Sequence, residues 1–485
     1  MKKIFATNLV LLLTLNLLVK PFWIFGIDRA VQNTVGAGEY GLFFALFNFS
    51  LLLNILLDFG ITNFNNREIS RHAQMLPRFF SNMVTIKLLM AVAYFLVSFS
   101  LALIIGYSPR QFYMLGFLVF NQFLSSLVMY FRSNISGLQL FKTDSILSVT
   151  DRVLMIILCA FLLWGPVREH FRIEWFVYAQ TVAYLATAAI AFLLVLIRSE
   201  FFTPKFDLRF FITIVKQSYP YALLVLLMSF YYRVDSVMLE RMLPDGNIQS
   251  GIYAQAFRLL DAANMVPFLF ASLLLPIFSK MIKTNEPVKP LLGFSFSLLF
   301  VFSLTLSVVC FTFRNDIMSM LYVHQSPKSS IILATLMVSF VFISISYIFG
   351  TLLTANGSLR HLNIISFLGV LVNIILNLIL IPKYYAVGAA IASLLTQVVV
   401  VLFQIIITRK IFSLKININN SLPFIYFVLF TVLSVFMLHK YFPKGVLVFI
   451  ISLLVPIVFS LLIRIINIKE MAGMFFSNSE VKNND

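Results

Sequence analysis

Residues 20–67 read KPFWIFGIDRAVQNTVGAGEYGLFFALFNFSLLLNILLDFGITNFNNR, and their pattern decides the fold. The stretch holds the end of one long apolar segment, a short polar turn and a second apolar segment. Each segment is long enough to cross a bilayer, which takes about 20 mostly apolar residues. Lys20 sits inside the first and Asp58 near the end of the second. Lipid penalises both charges, so something other than lipid must surround them. Gly36-Ala37-Gly38-Glu39-Tyr40-Gly41 matches GxGxxG by letter. A dinucleotide site needs a preceding strand and a βαβ unit, whereas membrane helices lie on both sides here. The glycines instead permit a tight interhelical turn.

The rest of the chain repeats the pattern. Hydrophobic residues make up 60% and charged residues 11%, where a soluble domain carries about 25% charged residues. The chain is therefore read as an all-α polytopic membrane protein. The short alternating segments of an outer-membrane barrel are absent. The net charge of +17 does not point to nucleic acid, because the basic residues gather in short loops on one membrane face. Cys159 and Cys310 fall inside separate apolar spans, and the five histidines have no HExxH or CxxC partner. Neither a disulfide nor a metal site is expected. The N-terminal MKKIFATNLVLLLTLNLLV resembles a signal peptide but lacks a small-residue cleavage site, so it is read as a retained first helix.

The spans are predicted at 8–30, 41–64, 82–106, 112–135, 145–165, 174–197, 212–241, 250–278, 290–313, 329–354, 361–382, 385–408, 420–439 and 443–465. An even count places both termini on one side. The twofold lysine and arginine bias makes that side cytoplasmic. No connection is long enough for a soluble catalytic domain, and neither a nucleotide-phosphate loop nor a serine–histidine–aspartate arrangement can be argued. A transporter rather than an enzyme is expected, without direct ATP drive. Gly41-Leu42-Phe43 and Gly251-Ile252-Tyr253, 210 residues apart, each open a helix after a turn. The expected organisation is a six-helix lobe over 1–205, a second over 206–412, and an extra helix pair with a cytoplasmic tail over 413–485. Transporters built on such repeats hold substrate between the halves.

Several ionisable residues fall inside the spans. Lys20, followed by the helix-bending Pro21, is read as facing a hydrated cavity. Asp28 and Arg29 fit either an interfacial pair or a cavity role. Asp58, followed by Asn63, Asn65, Asn66 and Arg67, fits either a gate or a polar helix end. Arg233 and Asp235 do not share a helix face and should meet different neighbours, whereas Arg258 and Asp261, at i,i+3, can pair. Lys87, Asp151 and Arg152 are placed within reach of the interface. Asn373 and Asn377 are expected to hydrogen-bond between helices.

Four stretches carry a family likeness: TVGAGEYGLF, LLDFGITNFNNREISR, SYPYALLVLLMSFYYRVDSVML and LILIPKYYAVGAAIASLLTQ. With the span count they resemble the Wzx-type polysaccharide-biosynthesis flippases of the multidrug/oligosaccharidyl-lipid/polysaccharide exporter superfamily. The resemblance implies two six-helix lobes around a central cavity, alternating access, and a polyprenyl-pyrophosphate-linked oligosaccharide as substrate. By helix and depth, Lys20, Arg233 and Arg258, with Arg29, become the candidate pyrophosphate cations. Asp28, Asp58, Asp235 and Asp261 become candidate coupling or gate acids. No cofactor is implied beyond H+ or Na+ coupling. The partners implied are the carrier-linked glycan, the bilayer of the bacterial inner membrane, and the polysaccharide polymerase and ligase machinery. A lipid II flippase and a cation-coupled drug exporter share the fold, and a membrane glycosyltransferase or polymerase is the competing class.

Overall fold

The computed structural model describes residues 14–16, 18–72, 74, 76–199, 208–323, 326–414, 422–442 and 445–466. The start of the first expected span and the expected tail beyond 466 lie outside the described residues. Among those described, every regular element is helical. Hydrocarbon offers no partner for backbone N–H and C=O groups, and a helix satisfies them internally.

Eleven helices are long and apolar enough to cross a membrane, and Val446–Leu462 is a shorter apolar helix. Two of the eleven are broken. Thr14–Leu52 turns at Gly36 (φ 79°, ψ 172°), and Leu359–Phe412 turns at Tyr385 (φ 55°, ψ −137°). Counting each as two crossings and adding Val446–Leu462 gives about fourteen, the expected number. The Gly36 conformation is essentially closed to residues with a Cβ, so this glycine is what lets the chain reverse.

The chain forms two compact units. The first comprises Met1–Gln255, Leu321–His324 and Asn377–Ala389, and the second the remaining stretches. The first unit begins with helical residues leading into a π-helical turn, Trp23–Asp28, and then α1 (Arg29–Leu52). Next come α2 (Ile61–Arg71), α3 (Leu76–Ile105), α4 (Pro109–Gly137), α5 (Phe141–Trp164), α6 (Ile173–Ser199), α7 (Leu208–Met242) and the first turns of α8 (Gly246–Lys283). Within this unit α1 packs on α7 and α4, and α4 packs on α6. The α4 start is dictated by sequence: Ser108 and Gln111 form a reciprocal capping box around Pro109 at the first turn. Leu88, Leu96, Leu103 and Ile104 of α3 project outward, as a lipid-facing stripe should.

The second unit holds the rest of α8, α9 (Lys289–Thr312), α10 (Arg314–Leu321), α11 (Pro327–Ala355), most of α12 (Leu359–Phe412), α13 (Leu422–Tyr441) and α14 (Val446–Leu462). The last two helices pack on each other and on α9, with Val309, Phe313, Val435 and Val448 at the centre.

Two span boundaries differ from expectation in ways that matter for function. The second span does not run as one helix to residue 64. It stops at Leu52, passes through a 3-10 turn at Asn54–Leu57, and restarts as α2. The Asp58-Phe59-Gly60 sequence breaks it. Asp58 accepts from both the Thr62 amide and hydroxyl, and Gly60 has φ 82°. Short polar side chains that bond local backbone compete with the helix in this way. The fifth span starts at Phe141 rather than 145, which moves Arg152 to the middle of its helix.

Candidate functional site

The first group forms around Lys20. Asn16, one turn earlier, donates to the Ser148 hydroxyl of α5 at 3.0 Å. That bond sets the two helices in register. One turn further along each, Lys20 and Arg152 lie within electrostatic reach of one another, together with Asp151 and Arg132. No hydrogen bond or ion pair joins Lys20 to another described residue. The Arg152 guanidinium carbon lies 5.5 Å from the Trp23 ring centre and 5.9 Å from that of Tyr184. Its Nε is 3.7 Å from the Asp151 carboxylate, and Arg132 is taken up by Asp144 at 2.8 Å. Arg152 is thus held among protein side chains at mid-helix.

Asp28 closes the π-helical turn. It is 1% exposed and accepts from the Tyr40 hydroxyl at 2.9 Å and from Gln32 Nε2 at 3.1 Å. It is therefore not half of an interfacial pair with Arg29, whose Nε is buried and without a hydrogen-bond partner. A π-turn inserts an extra residue into the helix and re-aims the residues after it. Here that turn accompanies the delivery of a carboxylate to the unit's interior.

Asp58 stands at the other end of α1. Lys87 of α3, only 1% exposed, donates to Asp58 Oδ1 at 2.8 Å, to the Leu57 carbonyl at 2.9 Å and to the Ser126 hydroxyl at 2.8 Å. Lys87 therefore does not reach the interface. It satisfies a carbonyl that the broken helix leaves orphaned. Asn65 is turned to Ser133 and Asn134 of α4 at 2.9 and 3.0 Å, and Arg67 to its neighbour Glu68.

On α7, Arg233 and Asp235 meet different neighbours, as their spacing requires. Arg233 donates to Asn48 of α1 at 3.3 Å. Asp235, 1% exposed, accepts from the Tyr253 hydroxyl at 3.0 Å and from Asn377 Nδ2 at 2.7 Å. Asn377 thus makes the interhelical bond expected of it. In the second unit Arg258 and Asp261 pair across one turn of α8 at 3.6 Å.

The Gly36 end of the first unit carries a group that sequence reading missed. A Cβ on Gly41 would lie 1.8 Å from the Asn247 carbonyl oxygen, and one on Gly251 would lie 1.9 Å from that of Ala37. The contact is reciprocal: each glycine meets the backbone four residues before the other. The two glycines of the sequence repeat thus mark a crossing so close that only hydrogen fits. Beside it, Gln111 donates to the buried Glu240 at 2.7 Å. Arg241 pairs with Glu240 at 2.5 Å, reaches the Gly106 carbonyl at 3.3 Å and covers the Tyr107 ring at 4.7 Å. Arg110 bridges Glu39 and Glu174 at 2.5 and 2.8 Å. A polar cavity of about 500 Å³ lies among Ser108, Arg110, Gln111, Glu240, Arg241 and Asn247. Spacing alone gives no sign that these side chains converge, but the repeated glycine did mark the place.

Broken helices of membrane-spanning length and a repeat whose ends cross reciprocally mark a multi-pass helical membrane protein. The model of the polysaccharide biosynthesis protein family matches residues 6–282. That is more than half the chain, and the protein belongs to this family. No curated protein matches the sequence. Among solved structures, the chain is similar to the lipid II flippase MurJ in an inward closed conformation, with a TM-score of 0.65 at 15% identity over 95% of this chain and 98% of that one. An inward-facing multidrug resistance MATE family transporter of the MOP superfamily gives a TM-score of 0.65 at 13% identity, covering 80% and 94%. The Vibrio cholerae MATE transporter VcmN, in its bent form, gives 0.55 at 15% identity, covering 85% and 97%. At such identities the likeness establishes the shared fold.

Proposed function

We propose that the protein is a flippase carrying polyprenyl-pyrophosphate-linked oligosaccharide repeat units, of O-antigen, capsule or another surface polysaccharide, from the inner to the outer leaflet of the bacterial cytoplasmic membrane. The observation that carries the reading is Lys20. It is a half-buried lysine inside an apolar span, with the charges of Arg152, Asp151 and Arg132 within reach, in a chain of a polysaccharide biosynthesis family. A glycan loses its water hydrogen bonds on entering hydrocarbon, and a polar passage removes that cost. The pyrophosphate needs cations in low dielectric, and Lys20, Arg29, Arg233 and Arg258 are the candidates for that role. The polyprenyl tail stays in lipid.

In this reading both termini are cytoplasmic and the Gly41–Gly251 crossing is the outer gate, here shut. The lysine-clamped break at Asp58 belongs to the cytoplasmic end. Asp28, Asp58, Asp235 and Asp261 are the candidate carboxylates for H+ or Na+ coupling; Asp28 and Asp235 are each buried and accept from a tyrosine hydroxyl. Moving one negative charge outward across an interior-negative membrane also gains about 2.3 kcal/mol per 100 mV. Polymerase and ligase enzymes would then take up the delivered unit.

The likeness to MurJ favours lipid II as a second substrate, since it presents the same lipid–diphosphate–sugar chemistry. Deleting the gene discriminates. Loss of surface glycan with accumulation of carrier-linked sugar in the inner leaflet supports the first reading, and arrest of peptidoglycan synthesis supports the second. Unchanged levels of both lipids, in a strain lacking any redundant flippase, refute both. A drug exporter instead predicts resistance on overexpression.

A further inference from the structure

The turn from α8 to α9 and the end of α12 border a cavity of about 500 Å³ within the second unit, lined by residues 282, 285–289 and 412–414. Both helices end through a left-handed residue, Asn285 at φ 56° and Ser413 at φ 51°. Backbone amides take the carbonyls there. Thr284 donates to Lys280 at 2.9 Å, Glu286 to Met281 at 2.8 Å and Leu414 to Arg409 at 3.1 Å. These are the bonds of a Schellman-type helix end, so the basic side chains nearby are not needed to satisfy those carbonyls. Ile282, Val288, Phe412 and Leu414 make an apolar floor that belongs to the unit's core.

Five cations flank the cavity in sequence: Lys280 and Lys283 in the last turn of α8, Lys289 opening α9, and Arg409 and Lys410 in the last turn of α12. All five are exposed, and none forms an ion pair or side-chain hydrogen bond with a described residue. Glu286 is the one carboxylate in the lining, and it accepts from the Thr284 hydroxyl at 2.8 Å. Four of the cations sit at helix C-termini, where the macrodipole favours them. Lys289 does not: it lines the cavity at the first position of α9, the end at which the dipole repels a cation. An anion beside it accounts for that placement. Ile277 of α8 and Ile406 and Ile411 of α12 are exposed, as residues that face acyl chains are. The cavity therefore lies where hydrocarbon gives way to the aqueous layer.

We propose that this cavity holds the phosphodiester headgroup of an anionic glycerophospholipid, with Lys289 facing the phosphate and the acyl chains lying along the exposed apolar residues of α8 and α12. Basic pockets at the ends of membrane helices suit such headgroups. A soluble phosphate would use the cations alone, whereas the lipid also uses the apolar floor and the lipid-facing residues beside it. The bound lipid ties the ends of α8, α9 and α12 to one leaflet. The site stands apart from the flippase reading, since none of its residues is a candidate for holding the transported substrate.

The test titrates the full-length protein in detergent with dioleoyl phosphatidylglycerol and reads the lipid-bound fraction by native mass spectrometry. A cation near a membrane surface is worth about fivefold in affinity for anionic lipid, so Lys289→Gln should weaken binding about fivefold and the triple variant Lys283→Gln/Lys289→Gln/Lys410→Gln about a hundredfold. Lys289→Gln alone decides if the triple variant does not fold. Glu286→Gln removes the carboxylate and should bind as tightly as the parent or more tightly. Lys440→Gln is the control for adventitious adducts and should match the parent: its neighbour His439 packs on Phe313, at the opposite end of α9 from Lys289. Dioleoyl phosphatidylethanolamine, which has no net charge, should bind about tenfold more weakly or worse. Parent-like affinity in Lys289→Gln, an equal loss in Lys440→Gln, no preference over phosphatidylethanolamine, or no binding of phosphatidylglycerol overturns the proposal. Displacement of the lipid by an equal concentration of glycerol phosphate overturns the lipid in favour of a soluble phosphate. Each of these results leaves the flippase reading intact.

Discussion

Gly41→Ala is the smallest change that should pry apart the crossing at the Gly36 end. The added methyl would sit 1.8 Å from the Asn247 carbonyl oxygen, where ordinary contacts begin near 3.4 Å, so α1 and α8 must separate by about 1.6 Å. The obstacle is backbone, which no rotamer change relieves. Overpacking of this kind costs about 1–3 kcal/mol. If the strain falls on the closed arrangement alone, the ratio of closed to open molecules drops by about 5- to 150-fold.

The assay is the rate at which a maleimide labels Leu42→Cys in solubilised protein lacking Cys159 and Cys310. Leu42 is 5% exposed beside the crossing, so its labelling tracks the open population. Gly41→Ala should raise the rate by that factor or, if the helices cannot part, lower the melting temperature. Gly251→Ala should act alike, because the contact is reciprocal. The double variant should fall well short of the sum, because one separation relieves both clashes. Unchanged labelling and unchanged melting in Gly41→Ala would refute the close-crossing explanation.

Two further perturbations address the broken helices. Lys87→Met removes all three hydrogen bonds that hold the Leu57–Asp58 break. It should destabilise by about 1–3 kcal/mol, less than for a fully buried pair because the Asp58 side chain is 31% exposed. Adding Asp58→Asn should recover part of that loss in thermal melts, and a Lys87→Met protein as stable as the parent would count against the clamp. Tyr385→Gly relieves a φ of 55° paired with a ψ of −137°. The relief of about 1–3 kcal/mol exceeds the entropy cost of about 0.5–1 kcal/mol, so the melting temperature should rise. A fall would show that the tyrosine side chain outweighs the strain.

Much of the architecture is legible in the sequence because lipid enforces it. The crossings are set by apolar runs, and the Gly36 turn by a glycine between two of them. The Arg258–Asp261 pair comes from i,i+3 spacing, which needs no knowledge of any other helix. The features that escape sequence reading depend on which helices touch. A helix begun at 145 puts Arg152 nearer its end, and a shift of four residues moves a side chain by about 6 Å. Lys87 looks able to snorkel, yet its carbonyl and hydroxyl partners lie 30 and 39 residues away. Asp28 looks interfacial because a π-turn, which changes the depth and direction of the residues beyond it, leaves no mark in the composition. Glu240 and Gln111 meet only through the tertiary fold.

Transport itself is the most direct test of the central claim, that mid-membrane cations give a charged sugar carrier its passage. Proteoliposomes containing polyprenyl-diphosphate-linked oligosaccharide are placed under a potassium diffusion potential, and the fraction of glycan reached by an external glycosidase is measured over time. The parent protein is expected to expose glycan beyond the half initially accessible, while Lys20→Met combined with Arg233→Met, folded and inserted, is not. Glycan exposure by the double variant at the parent's rate, or none by the parent beyond protein-free vesicles, would contradict the claim.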